Sequence, residues 1–245
     1  MIWIVLAEAA LEIVPPELWD HPAVIADTKR QGVPVDRLLL DTNYHHAAMH
    51  GFEDREKRGR PDIVHFCLLS TINTPLNKLF DQLRVCIHVV RPAECLIQVD
   101  PSTRVPRSLN RFAGVIVKVL AGERAATDDA DGSPDLFSRM DVTLADFIAR
   151  FDSANVHGLS RHGTAGSFYD AAARIANPGT GNTAETCLVI GGFQGGTFSP
   201  ATLAAIPEGN LHSLAPVSLD AWTACARAVF IVEQAIAGLL RLDPR

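Results

Sequence analysis

Short, nearly continuous apolar runs recur along the chain and predict strands that are buried on both faces. The runs cover residues 2–7, 63–69, 83–90, 95–99, 155–160 and 187–190. The Arg-Pro-Ala step at 91–93 separates the third run from the fourth, which together are typical of a strand pair. Helical patterns lie between several of these runs. The sequence therefore predicts an α/β domain with a largely parallel sheet.

A second pattern, with apolar residues three and four positions apart, predicts amphipathic helices. It is clearest from 112 to 120, and Pro106 fits the first turn of that helix. Thr143, with Asp146 three residues later, is predicted to cap a helix that runs to about residue 151. Ser218 is predicted to cap a long helix from 219 to about 240. Shorter helical stretches are expected at 16–19 and 44–49.

The organisation of the chain favours a single domain over residues 1–245. Residues 125–138 are acidic and rich in turn formers, which predicts a surface loop or, as the alternative, a linker between two domains. The segment 177–182 also reads as a loop, and no internal repeat is found.

Composition is that of a folded soluble protein, with 47% hydrophobic and 20% charged residues. The five cysteines form no Cys-X-X-Cys pair and favour reduced, buried thiols in an intracellular protein. No apolar run reaches the roughly 18 residues that a membrane-spanning helix needs. The N-terminal run carries Glu8 and Glu12 and lacks a basic start, so we do not expect a signal peptide. A cytoplasmic protein with no membrane contact is expected.

The net charge of −6 argues at first against a nucleic-acid partner. The charge is unevenly distributed, however: residues 1–122 hold 14 basic and 14 acidic side chains, and residues 123–245 hold 8 and 14. Within the first half, the segment 101–122 contains Arg104, Arg107, Arg111 and Lys118 and no acid. If the predicted helix begins near Pro106, Arg107 and Arg111 share one of its faces, with Arg104 just upstream. A local basic surface is what phosphate contacts require.

A second basic segment precedes the predicted strand at 63–69. It holds four cations in six residues: Arg55, Lys57, Arg58 and Arg60. On an extended chain, Asp62 projects to the same side as Arg60 and could hold its guanidinium in a bidentate pair, ready for a phosphate or a base edge. The alternative is a solvated turn with an incidental ion pair, and these residues alone leave both open.

Other candidate sites are weaker. The glycine-rich segment 190–197 follows a predicted strand, but it is not followed by a helix as in a dinucleotide fold, so a ligand loop and a structural turn both remain open. His46 and His50 are four apart and could share a metal ion on a helix, but no third ligand is evident and no metal is expected. No hydrolase or nucleotide-binding motif is present.

Several motifs, taken in order, carry a resemblance to a known family. They are Asp41-Thr-Asn-Tyr-His, Arg60-Pro-Asp-Ile-Val-His, Thr74-Pro-Leu-Asn-Lys, Thr103-Arg-Val-Pro-Arg with Asn110-Arg-Phe, Ile190-Gly-Gly-Phe, and Ala221-Trp-Thr-Ala-Cys. The chain resembles, from its first strand to its last helix and least across 123–185, the small-subunit ribosome-biogenesis methyltransferases that methylate N1 of pseudouridine. In length and style it is most similar to their archaeal branch. These enzymes belong to the SPOUT (α/β-knot) class.

The resemblance implies a SPOUT fold with a C-terminal trefoil knot, S-adenosylmethionine as cofactor, small-subunit rRNA as substrate and a homodimer. It assigns cofactor contacts, within knot loops spanning about 156–240, to Leu159, Ser160, Gly191, Gly196, Leu214, Ala215, Pro216, Val217, Ser218 and Leu219. It assigns RNA contacts, within 55–112, to Arg60, Arg104, Arg107 and Arg111, with Asp62 orienting Arg60. One departure is that Ala215-Pro-Val-Ser replaces the aromatic-led stretch more usual in the family.

A second departure concerns catalysis. Relatives commonly carry an aspartate in a DSPLN-like run, whereas this chain has Asn73-Thr-Pro-Leu-Asn. Asn73 is the catalytic candidate, but an amide can hydrogen-bond a base and cannot accept its proton. Two alternatives remain: a non-catalytic, rRNA-binding assembly factor, and a SPOUT methyltransferase acting on tRNA pseudouridine.

Overall fold

The computed structural model describes residues 1–125, 135–176 and 185–239. Within these residues the strands are β1 (Ile2–Ala7), β2 (Leu83–Val89), β3 (Cys95–Val99), β4 (Phe137–Met140), β5 (Val156–Ala165), β6 (Thr186–Gly191) and β7 (Leu211–Ser213). They form one sheet in the order β4-β3-β2-β1-β6-β5-β7. The pairs β1–β2, β1–β6, β5–β6 and β5–β7 are parallel, and β2–β3 and β3–β4 are antiparallel. The predicted α/β class with a largely parallel sheet is confirmed.

The α-helices of the described residues are α1 (Pro22–Gln31), α2 (Thr42–His45), α3 (Pro61–Thr71), α4 (Pro75–Lys78), α5 (Leu109–Leu120), α6 (Leu144–Ile148), α7 (Ser167–Ala176), α8 (Pro200–Ala204) and α9 (Ala221–Leu239). Short 3₁₀ turns lie at Pro16–Leu18, Val35–Arg37, Arg55–Lys57 and Ser153–Asn155. The predicted cap of α6 is confirmed, since the Thr143 hydroxyl accepts from the Asp146 N–H at 3.0 Å.

The strand predicted at 63–69 is wrong, because this segment is the middle of α3. Pro61 occupies the first helical turn and Asp62 follows it, which is a favourable helix start. The apolar residues lie all round the helix: Ile63, Val64 and Leu68 are buried, and Phe66 on the opposite side is also apolar although it is 45% exposed. A buried helix of this kind loses the periodic pattern that would distinguish it from a buried strand.

Two predicted helix starts are also corrected. The N-cap of α5 is Ser108, so Pro106 and Arg107 precede the helix. The last helix begins at Ala221, and its first turn hydrogen-bonds to the Asp220 carbonyl. Ser218 therefore does not cap it. The predicted loop 177–182 lies outside the described residues, as does most of 125–138, whose last two residues begin β4.

Apolar layers cover both faces of the sheet. Along β1, Ile4 and Leu6 join the cluster beneath α3, α5 and α9, whereas Val5 and Ala7 join the cluster beneath α6 and the residues that flank α8. No helix within the described residues has the length and apolar content needed to cross a membrane.

Candidate functional site

The predicted cofactor residues surround one cavity. It has a volume of about 300 Å³ and lies at the edge of the sheet where the parallel strands β5, β6 and β7 end. This is the edge at which open α/β sheets bind ligands. Nine of the ten predicted residues line it, and Pro216 does not. We call it the glycine-loop cavity, after the loop 191–199 that forms one wall.

Glycines allow the backbone of this loop to take its path. Gly196 has a φ of +94°, a conformation that side chains rarely adopt. A Cβ on Gly191 would lie 2.8 Å from the far end of the Phe193 ring, so the ring packs this closely against the end of β6 because Gly191 has no side chain. The loop is tied to the end of β1, since the Gly192 N–H donates to the Ala7 carbonyl at 2.8 Å. The glycines therefore have a packing role as well as lining the cavity.

Several lining residues were not predicted from the sequence. Arg161 is the one charged side chain among the described residues that line the cavity, and its guanidinium contacts the Ser218 hydroxyl at 3.3 Å. Phe193 and Phe198 also line it, edge to face at 6.0 Å. Phe193 could have been predicted as a cavity residue, because it lies in the glycine-rich segment directly after a predicted strand. No feature of the sequence around Arg161 predicted that it lines the cavity.

A buried histidine pair supports the cavity from below. The Ser167 hydroxyl donates its one proton to the Thr164 carbonyl, so its oxygen accepts from His212 Nδ1. His212 Nε2 therefore accepts from His157 Nδ1, at 3.0 Å. Burial first, then the neighbouring His212, lowers the pKa of His157 to about 4. Both imidazoles are therefore neutral near pH 7, and the pair ties β5 to β7, which carries Ser213 into the cavity wall.

The predicted pair between Arg60 and Asp62 is present in the structure. Arg60 Nε and Nη2 donate to the two carboxylate oxygens of Asp62, both at 2.8 Å. The geometry differs from the extended chain predicted, because Arg60 is the N-cap of α3 and Asp62 lies in its first turn. The Asp62 hydrogen bond raises the pKa of Arg60. The guanidinium is thus held charged and in a fixed orientation, with 21% of the side chain exposed.

The other three predicted RNA-binding arginines, Arg104, Arg107 and Arg111, are exposed, and the described residues provide no ion pair for them. The segment before α5 is held from inside, since the Thr103 hydroxyl donates to the Leu136 carbonyl at 3.0 Å. His65 of α3 contacts the Pro106 carbonyl at 2.6 Å.

His65 also stacks on Phe112 of α5 at 4.9 Å. His65 is five residues after Arg60, or roughly 7.5 Å along α3. Because His65 contacts both the segment before α5 and α5 itself, the four arginines lie on elements that adjoin each other. We call Arg60, Arg104, Arg107 and Arg111 the arginine surface.

The arginine surface adjoins the glycine-loop cavity. The Arg60 N–H donates to the Ala10 carbonyl at 2.9 Å, and the Ala10 N–H donates to the Gly192 carbonyl at 2.9 Å. Asp220, next to the cavity residue Leu219, is close enough to Arg60 to raise its pKa electrostatically. A ligand in the cavity and a polyanion on the arginine surface would therefore meet at the start of α3.

Asn73 is not brought to this site within one chain. It is exposed and follows the C-terminal end of α3, whereas Arg60 is at the N-terminal end. The 11 residues of α3 separate the two by roughly 16 Å. The next segment packs far along α9, since the Leu76 N–H donates to the Glu233 carboxylate at 2.8 Å. The catalytic role of Asn73 stays a prediction.

The histidines predicted as the weaker metal candidate lie together, with the rings of His46 and His50 5.5 Å apart. Arg55 contacts His46. Across the three described stretches of chain, no group of three His, Cys, Asp or Glu side chains is arranged to hold a metal ion.

Comparison with known proteins identifies the family. The family described as EMG1/NEP1 methyltransferase matches residues 4–233. The chain belongs to this family. The predicted family and the methyltransferase class are thereby confirmed.

Three relatives are each named ribosomal RNA small subunit methyltransferase Nep1. The protein of Pyrococcus furiosus is 36% identical over 223 residues, which cover 90% of this chain and 91% of that protein. The protein of Pyrobaculum calidifontis is 34% identical, with 95% of this chain and 98% of that protein covered. The protein of Staphylothermus marinus is 41% identical, with 66% and 68% covered. These relatives are archaeal, as the length and style of the sequence indicated.

A solved structure is similar along nearly the whole chain. The crystal structure of Archaeoglobus fulgidus Nep1 bound to S-adenosylhomocysteine has a TM-score of 0.79 and 33% sequence identity, and the match covers 96% of this chain and 98% of that one. The predicted SPOUT fold class is confirmed by this likeness. The trefoil knot stays a prediction.

Proposed function

We propose that the chain transfers the methyl group of S-adenosylmethionine to N1 of a pseudouridine in small-subunit rRNA during ribosome biogenesis. The observation that carries the proposal is the glycine-loop cavity, in which nine residues assigned to the cofactor meet next to the arginine surface. The named relatives support the cofactor and the rRNA substrate, since one was solved with S-adenosylhomocysteine and the others are small-subunit rRNA methyltransferases.

The residues of the cavity fit this cofactor. Its walls are largely backbone and small or apolar side chains, which suit an adenosine, and Arg161 is suited to the carboxylate of the methionine part. When bound, S-adenosylmethionine supplies a methyl group on a positively charged sulfur.

The arginine surface is proposed to hold the rRNA. Its exposed guanidinium groups are suited to the phosphates that set the register of the strand, and the target base is expected to be unstacked to reach the cavity. Pseudouridine is joined to ribose through carbon, which leaves N1 with a free N–H. Alignment of N1 with the methyl carbon provides most of the rate enhancement, and the N1 proton leaves to solvent.

The test is methyl transfer from labelled S-adenosylmethionine to a short pseudouridine-containing hairpin of small-subunit rRNA. We expect transfer to this hairpin and none to the matched uridine hairpin or to a tRNA fragment. Equal or absent transfer to the two hairpins would contradict the proposal. In the same assay, an unchanged single-turnover rate for Asn73→Asp would count against a role for that position. Calorimetry separates the assembly-factor alternative, because a scaffold would bind rRNA and show no saturable heat with S-adenosylmethionine.

We also propose that the protein acts as a homodimer. Two exposed aromatic side chains support this: Tyr169 of α7 is 51% exposed and Phe230 of α9 is 58% exposed, and both line one shallow depression. Large exposed apolar side chains that adjoin each other are typical of interfaces. Light scattering after size exclusion should give about twice the chain mass of 26.5 kDa, and Phe230→Asp should shift the protein toward the monomer.

A further inference from the structure

Glu8 takes an unusual position directly after β1. Its φ is +51°, in the left-handed region that non-glycine residues seldom occupy, and it is 5% exposed. Its own N–H donates to His88 Nδ1 at 3.1 Å. A costly backbone conformation at a buried charged residue persists only where surrounding contacts hold it. The contacts of the Glu8 carboxylate show which segments it holds together.

The two oxygens of the Glu8 carboxylate contact two different segments. One accepts from Lys57 Nζ at 2.7 Å, in the 3₁₀ turn Arg55–Lys57 that leads into Arg60. The other accepts from the Ser199 N–H at 2.7 Å, at the end of the glycine loop. Burial would raise the pKa of Glu8, but hydrogen bonds from Lys57 and Ser199 outweigh it and the pKa is lowered. The carboxylate is therefore ionised when it makes these contacts.

Lys57 reaches the glycine loop as well. Its ammonium lies 5.0 Å from the centre of the Phe193 ring, and that ring lines the glycine-loop cavity and packs against Gly191. The adjacent Glu56 carbonyl accepts from the Gln194 N–H at 3.2 Å. The Lys57 and Glu8 side chains are 12% and 6% exposed, so solvent screens their attraction little.

We propose that Glu8 and Lys57 are positioning residues that hold the glycine loop and the segment leading to Arg60 in one fixed arrangement. Neither side chain lines the glycine-loop cavity or belongs to the arginine surface. Their effect is to fix the cofactor wall and the RNA-binding arginine relative to each other, so that the methyl group and the base meet in line. This inference rests on the proposed function.

The experiment measures two dissociation constants on the full-length protein: S-adenosylhomocysteine by calorimetry, and the pseudouridine hairpin by fluorescence anisotropy. Glu8→Gln keeps an acceptor for Ser199 but places an N–H against the Lys57 ammonium, and Lys57→Met keeps the length of the side chain without its charge. Each should raise both constants by about ten-fold, a coupling within the range found for contacting residues. Lys57→Arg should recover most of the affinity.

The double variant Glu8→Gln/Lys57→Met leaves neither charge unpaired, and should lose less than the product of the two single losses. The matched control is Asp81→Asn, which breaks the 2.7 Å ion pair with Arg84 at the opposite end of β2 and should change neither constant. Partial unfolding would raise the apparent constants as well, so the stoichiometry from calorimetry gives the binding-competent fraction of each variant, and the protein concentrations are corrected by it. If Glu8→Gln does not fold, Lys57→Met and Lys57→Arg decide the result.

Constants within two-fold of the unaltered protein for folded Lys57→Met would overturn the positioning role while the proposed function stands. If the unaltered protein binds no S-adenosylhomocysteine, the proposed function fails and this inference fails with it.

Discussion

Asp62→Ala should weaken binding of the pseudouridine hairpin by roughly 10- to 100-fold, nearly as much as Arg60→Ala, although we expect no direct contact between Asp62 and RNA. Asp62 accepts two hydrogen bonds from the Arg60 guanidinium, and bonds of this charged kind are worth about 1.5–3 kcal/mol. Without them the guanidinium is free to rotate and loses its orientation toward a phosphate. Anisotropy titrations at two or more salt concentrations measure the effect.

The salt dependence of hairpin binding tests the phosphate contacts of the four arginines. Arg60→Ala removes a phosphate contact and should reduce the slope of log K against log salt by about 0.7–0.9. Arg104→Ala, Arg107→Ala and Arg111→Ala should each weaken binding and flatten the slope in the same way. S-adenosylhomocysteine affinity should stay constant in all of them. If Asp62→Ala binds the hairpin as the unaltered protein does, the Arg60–Asp62 pair has only a structural role at the start of α3.

The sequence predicted this pair, but with the wrong local structure. On an extended chain, residues two apart project to the same side. The N-cap of a helix and the second residue of its first turn also lie near each other, so the predicted pairing was right although the predicted strand was wrong. The strand at 63–69 failed for a physical reason: α3 is buried on several sides, and its apolar residues show no polar face. The amphipathic α5, with Arg111 exposed and Phe112 buried, was predicted because one of its faces is solvated.

Long-range contacts of the site could not be predicted from spacing. Lys57 and Glu8 are 49 residues apart, and Ser199 is 191 residues from Glu8, so no local pattern links them. The residues around the glycine-loop cavity came from the family resemblance, since a glycine-rich run alone left a structural turn open beside a ligand loop. That resemblance assigned Pro216, which the cavity does not include, and missed Arg161, which it does.

Gly163→Ala should be the most destabilising substitution among the glycines that the structure describes. A Cβ at Gly163 would lie within 2.6 Å of the His212 backbone nitrogen and oxygen, and backbone cannot move aside without opening the pairing of β5 with β7. Overpacking by a contact with backbone should cost about 3 kcal/mol, the upper end of the usual range, which lowers Tm by roughly 10 °C in a domain of this size. Because β7 carries Ser213 into the cavity wall, S-adenosylhomocysteine affinity should fall as well.

Gly114→Ala should have the opposite effect and raise the stability of the protein. Gly114 is exposed in the middle of α5, with nothing within 4 Å of the added Cβ, and alanine in an exposed helix is favoured over glycine by about 0.5–1 kcal/mol. Thermal melts followed by circular dichroism compare the two variants directly. If the Gly163→Ala protein melts within 2 °C of the unaltered chain, β5 and β7 do not approach as closely as the contact between Gly163 and His212 requires. That result would also contradict the support that the His157–His212 pair gives to the cavity.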